Sequence, residues 1–380
     1  MVTAPLSPGP VGVSAPTADA SHGPASVPQA AGAPATGASP TVLFTAVRNE
    51  SPFLIEWIAY HKVIGFERII VFANASDDGT EALLQALAAA GEVEYHFHTP
   101  PERVSAQGNA ARIANERGLI PDGAWTIWLD ADEFLNVRVG GGMVGDLIAR
   151  LGSAQGILIN WRLFGDSGRS RYPGRTLSPE FDRASRRRFP ENRFIKTLFR
   201  YSRGNCMMET TNAHRPQVAA DLFTTADFLA GNGRALSAAP RNVRWVTGRE
   251  YVRGGYVTDE DIGFGLAQVN HYAVRSPDLY LLKRFRGDGM QRTAGAPSSR
   301  YGADYYRRHN RNDVEETSIL RHEAATTAEM ARLRALPGVA EAEAEALHRT
   351  AAMIAAIPPE EFAALTGEPL PEAAVPRSAT

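Results

Sequence analysis

Two carboxylates one residue apart, Asp130 and Asp132, directly follow the apolar stretch 125–129 (WTIWL). Side chains at this spacing can reach one hard divalent cation, which takes oxygen ligands. Such a cation can bridge two phosphates and stabilise the negative charge that develops on a departing nucleotide. Acidic pairs are also common in turns and at helix starts, so the pattern by itself leaves an acidic turn or cap as the alternative.

Hydrophobic periodicity places this pair in an alternating series of strands and helices. Short apolar runs predict strands at 41–47, 68–73, 93–98 and 125–129. Helices are predicted between them, from Ser51-Pro52 to Gly65, over 81–90 and over 107–118. This alternation is typical of a parallel sheet with helices on both faces, which binds ligands beyond the carboxyl ends of its strands. Polar clusters follow three of the four strands, at 48–50, 74–78 and 130–133.

The second half of the chain is less regular. Further strands are predicted at 156–163, 199–201 and 243–245, and helices from Asp278 onward and within 323–366. We therefore divide the chain into a disordered segment at 1–40, a catalytic domain at 41–320, C-terminal helices at 321–368 and a disordered tail at 369–380. Within the domain, 41–150 is the nucleotide half and 151–320 the acceptor half.

Composition limits the function classes. The chain has 380 residues and a formal net charge of -2, which gives no bulk attraction to nucleic acid or anionic membranes. A single cysteine, Cys206, excludes an internal disulfide framework and is interpreted as a buried structural thiol. Residues 1–40 are rich in Ala, Pro and Gly and lack the features of a secretory signal. No apolar stretch reaches the ~20 residues of a membrane span, so a cytoplasmic location is expected.

Several motifs in one order resemble glycosyltransferase family 2-like enzymes of the GT-A fold, and more narrowly the family 92 type. The resemblance rests on VRNE (47–50), EWIAYHKVIGFERIIVFANASDDGT (56–80), QGNAA (107–111) and WLDADEFL (128–135). It covers 41–135, with weaker similarity at 160–168 and 270–286. It implies transfer of a hexose, with inversion, from a nucleotide sugar such as a UDP-sugar to a carbohydrate, lipid-linked or protein acceptor.

The resemblance also implies a metal site. Asp130 and Asp132 match the family's D-x-D, which holds a divalent cation and contacts the donor diphosphate and ribose. His271, in Asn270-His271-Tyr272, resembles a C-terminal histidine that completes the metal shell. Imidazole and carboxylate together suit Mn²⁺, and Mg²⁺ is the alternative cofactor. A contact with the substrate phosphate or a structural role stays open for His271.

Nucleotide-contacting residues are implied at three further places. They are Arg48, Asn49 and Glu50 after the first strand, Asp77 or Asp78 after the second, and Gln107 ahead of the helix over the donor site. Arg48 is expected to contact a phosphate or to order its loop, with capping or pairing with Glu50 as the alternative. Glu50 can instead complement a helix dipole. One of the two adjacent aspartates is expected to cap a helix and the other to meet the nucleotide. His61, Trp57 and Tyr60 are interpreted as packing residues of the first helix.

The base that deprotonates the acceptor is not identified by any motif. Asp166, Glu209 and His214 lie in the acceptor half and are candidates, of which we favour Asp166. Two basic groups stand nearby in the sequence. Arg183, Arg186, Arg187 and Arg188 are interpreted as a solvated loop, with an anionic acceptor as the alternative, and Lys283, Arg284 and Arg286 can balance the donor diphosphate.

Three other functions fit the sequence less well. A nucleotidyltransferase shares the sheet and the acidic site, but it is expected to carry a glycine-rich basic loop after its first strand, and 48–52 (RNESP) has no glycine. An inactive binding protein is expected to lose one of the two aspartates. A nucleic-acid-binding protein is expected to show a basic balance or a known recognition motif, and the sequence has neither.

Overall fold

The structure is a computed structural model that describes residues 39–172, 174, 176–247, 254–286 and 300–369. Residues 1–38 and 370–380, on which most of the two disorder predictions fall, lie outside the described residues.

Strands and helices alternate in the first half of the chain and are irregularly spaced after it. The strands are β1 (Thr41–Val47), β2 (Arg68–Ala73), β3 (Glu94–Phe97), β4 (Trp125–Trp128), β5 (Glu133–Val137), β6 (Gly156–Leu163), β7 (Arg183–Ala184), β8 (Ile195–Arg200), β9 (Cys206–Met207), β10 (Gln217–Val218), β11 (Phe228–Ala230), β12 (Ala267–His271) and β13 (Val314–Glu315). The helices are α1 (Ser51–Val63), α2 (Thr80–Ala89), α3 (Ala106–Arg117), α4 (Val144–Ile148), α5 (Pro240–Val246), α6 (Pro277–Arg286), α7 (Ala303–His309), α8 (Glu323–Arg334), α9 (Val339–Ala355) and α10 (Pro359–Thr366).

The central sheet is mixed but mostly parallel, as the sequence predicts for an α/β protein. Within the described residues its strand order is β3-β2-β1-β4-β8-β6-β12-β5, and β11 pairs with β6. Strand β1 is parallel to both of its neighbours, and Phe44 is paired with Ile70 of β2 and with Trp128 of β4. Strand β8 is antiparallel to β4 and β6, and β5 is antiparallel to β12. The carboxyl ends of β1, β2, β4 and β12 therefore carry the loops of the candidate site.

Apolar side chains cover both faces of this sheet, because alternate residues of a strand point to opposite faces. One cluster holds Leu43, Ile127 and Leu198 under α1, and the other holds Phe44, Trp128 and Phe199 under α3. Cys206 lies in the second cluster, where burial raises the pKa of its thiol to about 12. The thiol is therefore protonated at neutral pH, as expected of a structural cysteine.

Helix α1 holds β5 in place through three aromatic side chains. Trp57 Nε1 donates a hydrogen bond to the carbonyl of Glu133 (2.9 Å), and Tyr60 Oη donates to the carbonyl of Leu135 (2.8 Å). His61 is fully buried, with Nδ1 2.8 Å from the Trp57 carbonyl and Nε2 accepting from the Leu135 amide. Burial lowers the pKa of His61 to about 3. These residues are packing residues, as predicted, and they fix the strand that directly follows Asp132.

Two sequence predictions differ from the structure. Residues 243–245 belong to helix α5, which starts at Pro240, and not to a strand. Strand β5 is not predicted from the sequence, because its five residues are all buried and no turn residue separates them from the acidic turn before them. A fully buried strand lacks the alternation by which a half-buried strand is recognised.

Helices α8 and α9 pack on the nucleotide half, and α10 packs on helices of the acceptor half. Helix α8 lies against α1, α9 against α2 and α1, and α10 against α6 and α7. Among the residues that the structure describes, no helix combines the length and the apolar character that crossing a bilayer requires.

An ion-pair cluster joins α8 to the nucleotide half and makes a pH-dependent contribution to stability. Glu92 accepts two hydrogen bonds from Arg332 (2.7 Å each) and pairs with Lys62 (2.7 Å), and the hydrogen bonds of Arg332 lower the pKa of Glu92 to about 2. Replacing Glu92 by glutamine should lower the free energy of unfolding by about 1 kcal/mol at pH 7. Because the folded-state pKa lies below the ordinary value of 4.5, the difference should persist above that pH and vanish as the pH falls to about 2. Urea unfolding of both proteins from pH 7 to pH 3 tests this, and a constant difference would contradict it.

Candidate active site

The loops after β1 and β2 are bonded to each other at the carboxyl edge of the sheet. Asn49 adopts a φ of 52°, a left-handed conformation that asparagine tolerates better than most residues. In this conformation the backbone amide of Asn49 donates to Ser76 Oγ (3.2 Å), and its side-chain Oδ1 accepts from the backbone amide of Asp77 (2.8 Å). The two loops therefore form one surface.

The adjacent aspartates of the second loop have different roles. Asp78 is 2% exposed, and its two oxygens accept hydrogen bonds from Ser51 and Thr80, at the starts of α1 and α2. The carboxylate of Asp77 is exposed beside Asn49. The structure thus makes Asp78 the helix-start residue and leaves Asp77 accessible to a nucleotide.

Glu50 is buried between two arginines from the C-terminal part of the domain. Arg275 Nη2 donates to Glu50 Oε2 (3.0 Å), and Arg286 Nη1 donates to Glu50 Oε1. Burial opposes ionisation of Glu50, but Arg286 and Arg275 hold its pKa below the ordinary value. Arg48 does not pair with Glu50; it donates to the carbonyls of Ala75 (3.1 Å) and Arg286 (3.2 Å) and so orders the loops.

Asp130 is held by one amide and one ammonium group. Gln107 Nε2 donates to Asp130 Oδ1 (2.9 Å), which ties the start of α3 to this carboxylate. Lys196 Nζ donates to Asp130 Oδ2 (3.0 Å) and lies 3.1 Å from Glu133 Oε2. Lys196 is 0% exposed; burial opposes its charge, but Asp130 and Glu133 raise its pKa, so it is an ammonium ion.

Asp132 lies deeper than Asp130 and faces a different lysine. Lys283 Nζ, from α6, donates to Asp132 Oδ2 (2.5 Å), and His271 Nε2, from the end of β12, is 3.7 Å from the same oxygen. Burial would raise the pKa of Asp132, but Lys283 and then His271 hold it well below its ordinary value. His271 is itself buried, which lowers its pKa against the opposing effect of Asp132, so the ring is neutral at pH 7.

These residues fit a divalent cation that is shared with a phosphate, but not a cation held by protein alone. Among the described residues, no group of three or more His, Cys, Asp or Glu side chains could hold a metal ion. Mg²⁺ and similar ions commonly need one or two carboxylates when substrate phosphates and water complete the shell. Asp132 supplies one carboxylate and His271 an imidazole beside it. Within the described part of the chain, the buried Nδ1 of His271 has no hydrogen-bond partner. Asp130 fits less well, because both of its oxygens already accept hydrogen bonds.

Asp166, the base favoured from the sequence, is a structural residue. Its Oδ2 accepts from Tyr306 Oη (2.7 Å) and Asn310 Nδ2 (2.5 Å), and its Oδ1 accepts from the Gly168 amide (2.9 Å) and Asn312 Nδ2 (3.0 Å). Four donors occupy the lone pairs that a general base would need. Three of these four donors come from the segment 306–312. This segment lies too far from Asp166 in the sequence for a local turn pattern to predict the contacts.

Three residues near the acidic pair have no sequence prediction. They are Trp161 at the end of β6, Lys196 in β8 and Arg275 after β12. The ring centroid of Trp161 lies 4.1 Å from that of His271 and 5.4 Å from that of His214, so the indole contacts both imidazoles. A signal existed for Lys196, since it is a single charge within the apolar run 195–199 (IKTLF).

The basic cluster of the middle region lies partly in solvent. Arg186, Arg187 and Arg188 are exposed, whereas Arg183 belongs to β7 and donates to the Asn312 carbonyl (3.4 Å). This agrees with the interpretation as a solvated loop for three of the four arginines.

Comparison with known proteins supports a glycosyltransferase. A family model described as glycosyltransferase family 92 matches residues 45–217, which include Asp130 and Asp132 but not His271. A family 92 protein of Ricinus communis is 31% identical over 96 residues, 25% of this chain and 17% of the relative. A second, from Oryza sativa subsp. japonica, is 33% identical over 92 residues, 24% of this chain and 15% of the relative. The chain therefore aligns with less than a fifth of the length of these curated relatives.

Solved structures show only remote similarity. A crystal structure of S. aureus TarS matches 35% of this chain and 23% of its own with 13% identity and a TM-score of 0.26. A structure of TarS 1-349 matches 83% of this chain and 90% of its own with 11% identity and a TM-score of 0.30. Neither likeness is close enough to bear on the fold or the function.

Proposed function

We propose that this protein is a glycosyltransferase with a GT-A type domain, which transfers a hexose from a nucleotide sugar, most simply a UDP-sugar, to an acceptor hydroxyl. The observation that carries the proposal is the meeting of Asp132, His271 and Lys283 at the carboxyl edge of the sheet. Ligands of open α/β sheets bind at this edge. The match of 45–217 to family 92 supports the same reaction class independently.

Four acidic and four basic side chains meet at this edge before any ligand binds. The acids are Glu50, Asp130, Asp132 and Glu133, and their basic partners are Lys196, Lys283, Arg275 and Arg286. A nucleoside diphosphate adds further negative charge to a largely buried site, so binding it requires additional positive charge. A divalent cation bound with the donor would supply this charge and would stabilise the leaving diphosphate.

Residues of the chain account for the remaining tasks of donor binding. Asp132 and His271 are the residues that would hold the cation, and Lys283, on the same carboxylate, is placed to donate to a phosphate oxygen. The exposed Asp77 and the ordered loop of Asn49 form the surface proposed for the ribose and base. Lys196 keeps Asp130 and Glu133 in position through its ion pairs with both.

A panel of nucleotide sugars tests the proposal by thermal stabilisation and by release of free nucleotide. A UDP-sugar with Mn²⁺ should raise the melting temperature of the parent protein by at least about 2 °C when the ligand is well above its dissociation constant. Asp132→Asn should remove this shift, because the amide lacks the charge that attracts a cation while its volume is unchanged.

Asp122→Asn is a matched control, since Asp122 is exposed and precedes β4 at the opposite end of the strand. This variant should keep the shift of the parent. Equal stabilisation of the parent and Asp132→Asn would rule out the metal assignment. A parent that no nucleotide sugar stabilises, with or without Mn²⁺, would rule out the proposed function.

A further inference from the structure

The ring of His214 contacts the same indole, that of Trp161, as the ring of His271 does. Its ring is half-buried, 5.4 Å from Trp161 and 6.2 Å from Phe194 between ring centroids. Its backbone carbonyl accepts a hydrogen bond from Thr197 Oγ1 (2.8 Å), which ties the residue to β8 next to Lys196. The imidazole therefore sits beside the proposed donor site without belonging to the acidic cluster.

The environment of His214 fixes both the orientation and the tautomer of the ring. Nδ1 is 2.8 Å from the carbonyl of Ile195, which can only accept, so Nδ1 carries the proton. Gly255 packs directly on the ring, and a β-carbon at this position would lie 1.9 Å from Cγ of His214. The remaining nitrogen, Nε2, is then an acceptor and makes no hydrogen bond within the described residues.

The ring also borders open space. It lines a cavity of ≈ 10 Å³, about the volume that one water molecule needs, together with Thr197, Glu209 and Arg215. Among the residues that the structure describes, Nε and Nη1 of Arg215 are buried and have no hydrogen-bond partner, whereas buried polar groups are normally hydrogen-bonded. A small polar molecule can therefore approach this part of the site.

We infer that His214 is the general base that removes the proton from the acceptor hydroxyl, an inference that rests on the proposed function. In this step Nε2 takes the hydroxyl proton while the acceptor oxygen forms a bond to the anomeric carbon. The bond from that carbon to the diphosphate oxygen breaks, and its electron pair leaves with the nucleoside diphosphate. The attack comes from the side opposite the leaving group, so the product has inverted configuration.

The other two candidates from the sequence are less suitable. Asp166 has four hydrogen-bond donors on its two oxygens. Glu209 Oε1 accepts from the amide and the hydroxyl of Thr211 (3.0 and 2.9 Å), which ties this carboxylate to its own turn. His214 presents its acceptor atom, Nε2, in a direction that is fixed by the Ile195 carbonyl and by the packing of Gly255 on the ring.

The neutral form of His214 is favoured by its surroundings. Burial, and then the charge of Lys196, hold its pKa well below the ordinary value. The titratable and charged groups around it are Lys196, His271, Arg300, Glu209 and Arg215. His214 is therefore neutral at pH 7 and can accept a proton. As the pH is lowered through 6.5, the rate should not fall as it would with a histidine of ordinary pKa.

The test compares His214→Gln and His214→Ala with the parent, using whichever UDP-sugar stabilises the parent and water as the acceptor. UDP release should fall about 10²–10⁴-fold in both variants, and the donor-induced melting shift should remain. Added imidazole should restore part of the rate to His214→Ala. His322→Gln is the control, because His322 is also half-buried with a lowered pKa but lies beside Tyr60 and Gly142, and it should keep the parent rate.

The outcomes separate this inference from the proposed function. UDP release within about threefold of the parent in His214→Gln would overturn the assignment while leaving the glycosyltransferase intact. Loss of both donor binding and activity, without rescue by imidazole, would show a structural role and would also overturn it. A parent that neither binds nor hydrolyses any nucleotide sugar would overturn both proposals together.

Discussion

Replacing Lys196 by methionine should lower the free energy of unfolding by about 3–5 kcal/mol. Lys196 and Glu133 are both 0% exposed, and Lys196 Nζ lies 3.0 Å from Asp130 and 3.1 Å from Glu133. Methionine has a similar length but no charge, so Asp130 would lose its buried counter-ion. Glu133, whose pKa burial already raises to about 8, would lose the ammonium group that opposes this rise. Urea unfolding followed by far-ultraviolet circular dichroism measures the effect.

The double variant Lys196→Met, Glu133→Gln is the informative control. It removes the ionisable carboxyl of Glu133 together with Lys196. Burial raises the pKa of this carboxyl, which disfavours the folded state at pH 7, so the double variant should recover at least about 1 kcal/mol of what the single variant loses. The amide oxygen of glutamine can still accept the hydrogen bond that the Asp130 amide donates to Glu133 Oε2. A single variant that loses less than about 1 kcal/mol, or a double variant no better than the single, would contradict a charged buried lysine.

Replacing Lys283 by methionine should weaken binding of the UDP-sugar about 10- to 100-fold, the loss expected for one hydrogen bond to a charged group. The side chain of Lys283 is 10% exposed and reaches Asp132 from α6. In the donor-free protein it therefore lies beside the site proposed for the diphosphate. Isothermal titration with the sugar nucleotide that stabilises the parent measures the change, with Mn²⁺ at a constant concentration.

Lys62→Met is the matched control for this variant. Lys62 lies in the last turn of α1 and pairs with Glu92, remote from the carboxyl edge, and its loss should leave donor affinity unchanged. Unchanged or tighter binding by Lys283→Met would instead mean that Lys283 only balances Asp132 in the donor-free protein and competes with the cation.

The sequence predicts most elements of the nucleotide half closely, because these have a local signal. β1 and β2 have the predicted bounds, and α1 begins at the predicted Ser51-Pro52. Buried parallel strands are continuous β-branched and apolar runs, and proline and glycine mark the helix ends. Their order along the chain then predicts where the carboxyl ends, and hence the loops of 48–50, 74–78 and 130–133, come together.

Pairing between distant segments could not be predicted in the same way. β8 lies between β4 and β6 and is antiparallel to both, and β12 joins β5 to β6. Such connections depend on which strands fit beside one another in three dimensions. As a result the resemblance placed His271 near Asp132, but no local pattern indicated that Lys196 lies under Asp130 or that Asp166 is held by Asn310 and Asn312.

The mutual bonding of the loops after β1 and β2 has a thermodynamic consequence for ligand recognition. Asn49 and Asp77 are joined by a hydrogen bond, and Asp78 links the starts of α1 and α2 through Ser51 and Thr80. The conformational freedom of this surface is thus given up when the chain folds, not when a ligand arrives. A nucleotide bound there, as proposed, would meet loops that are already ordered. Little chain entropy would then be lost on binding, so more of the contact energy would appear as affinity.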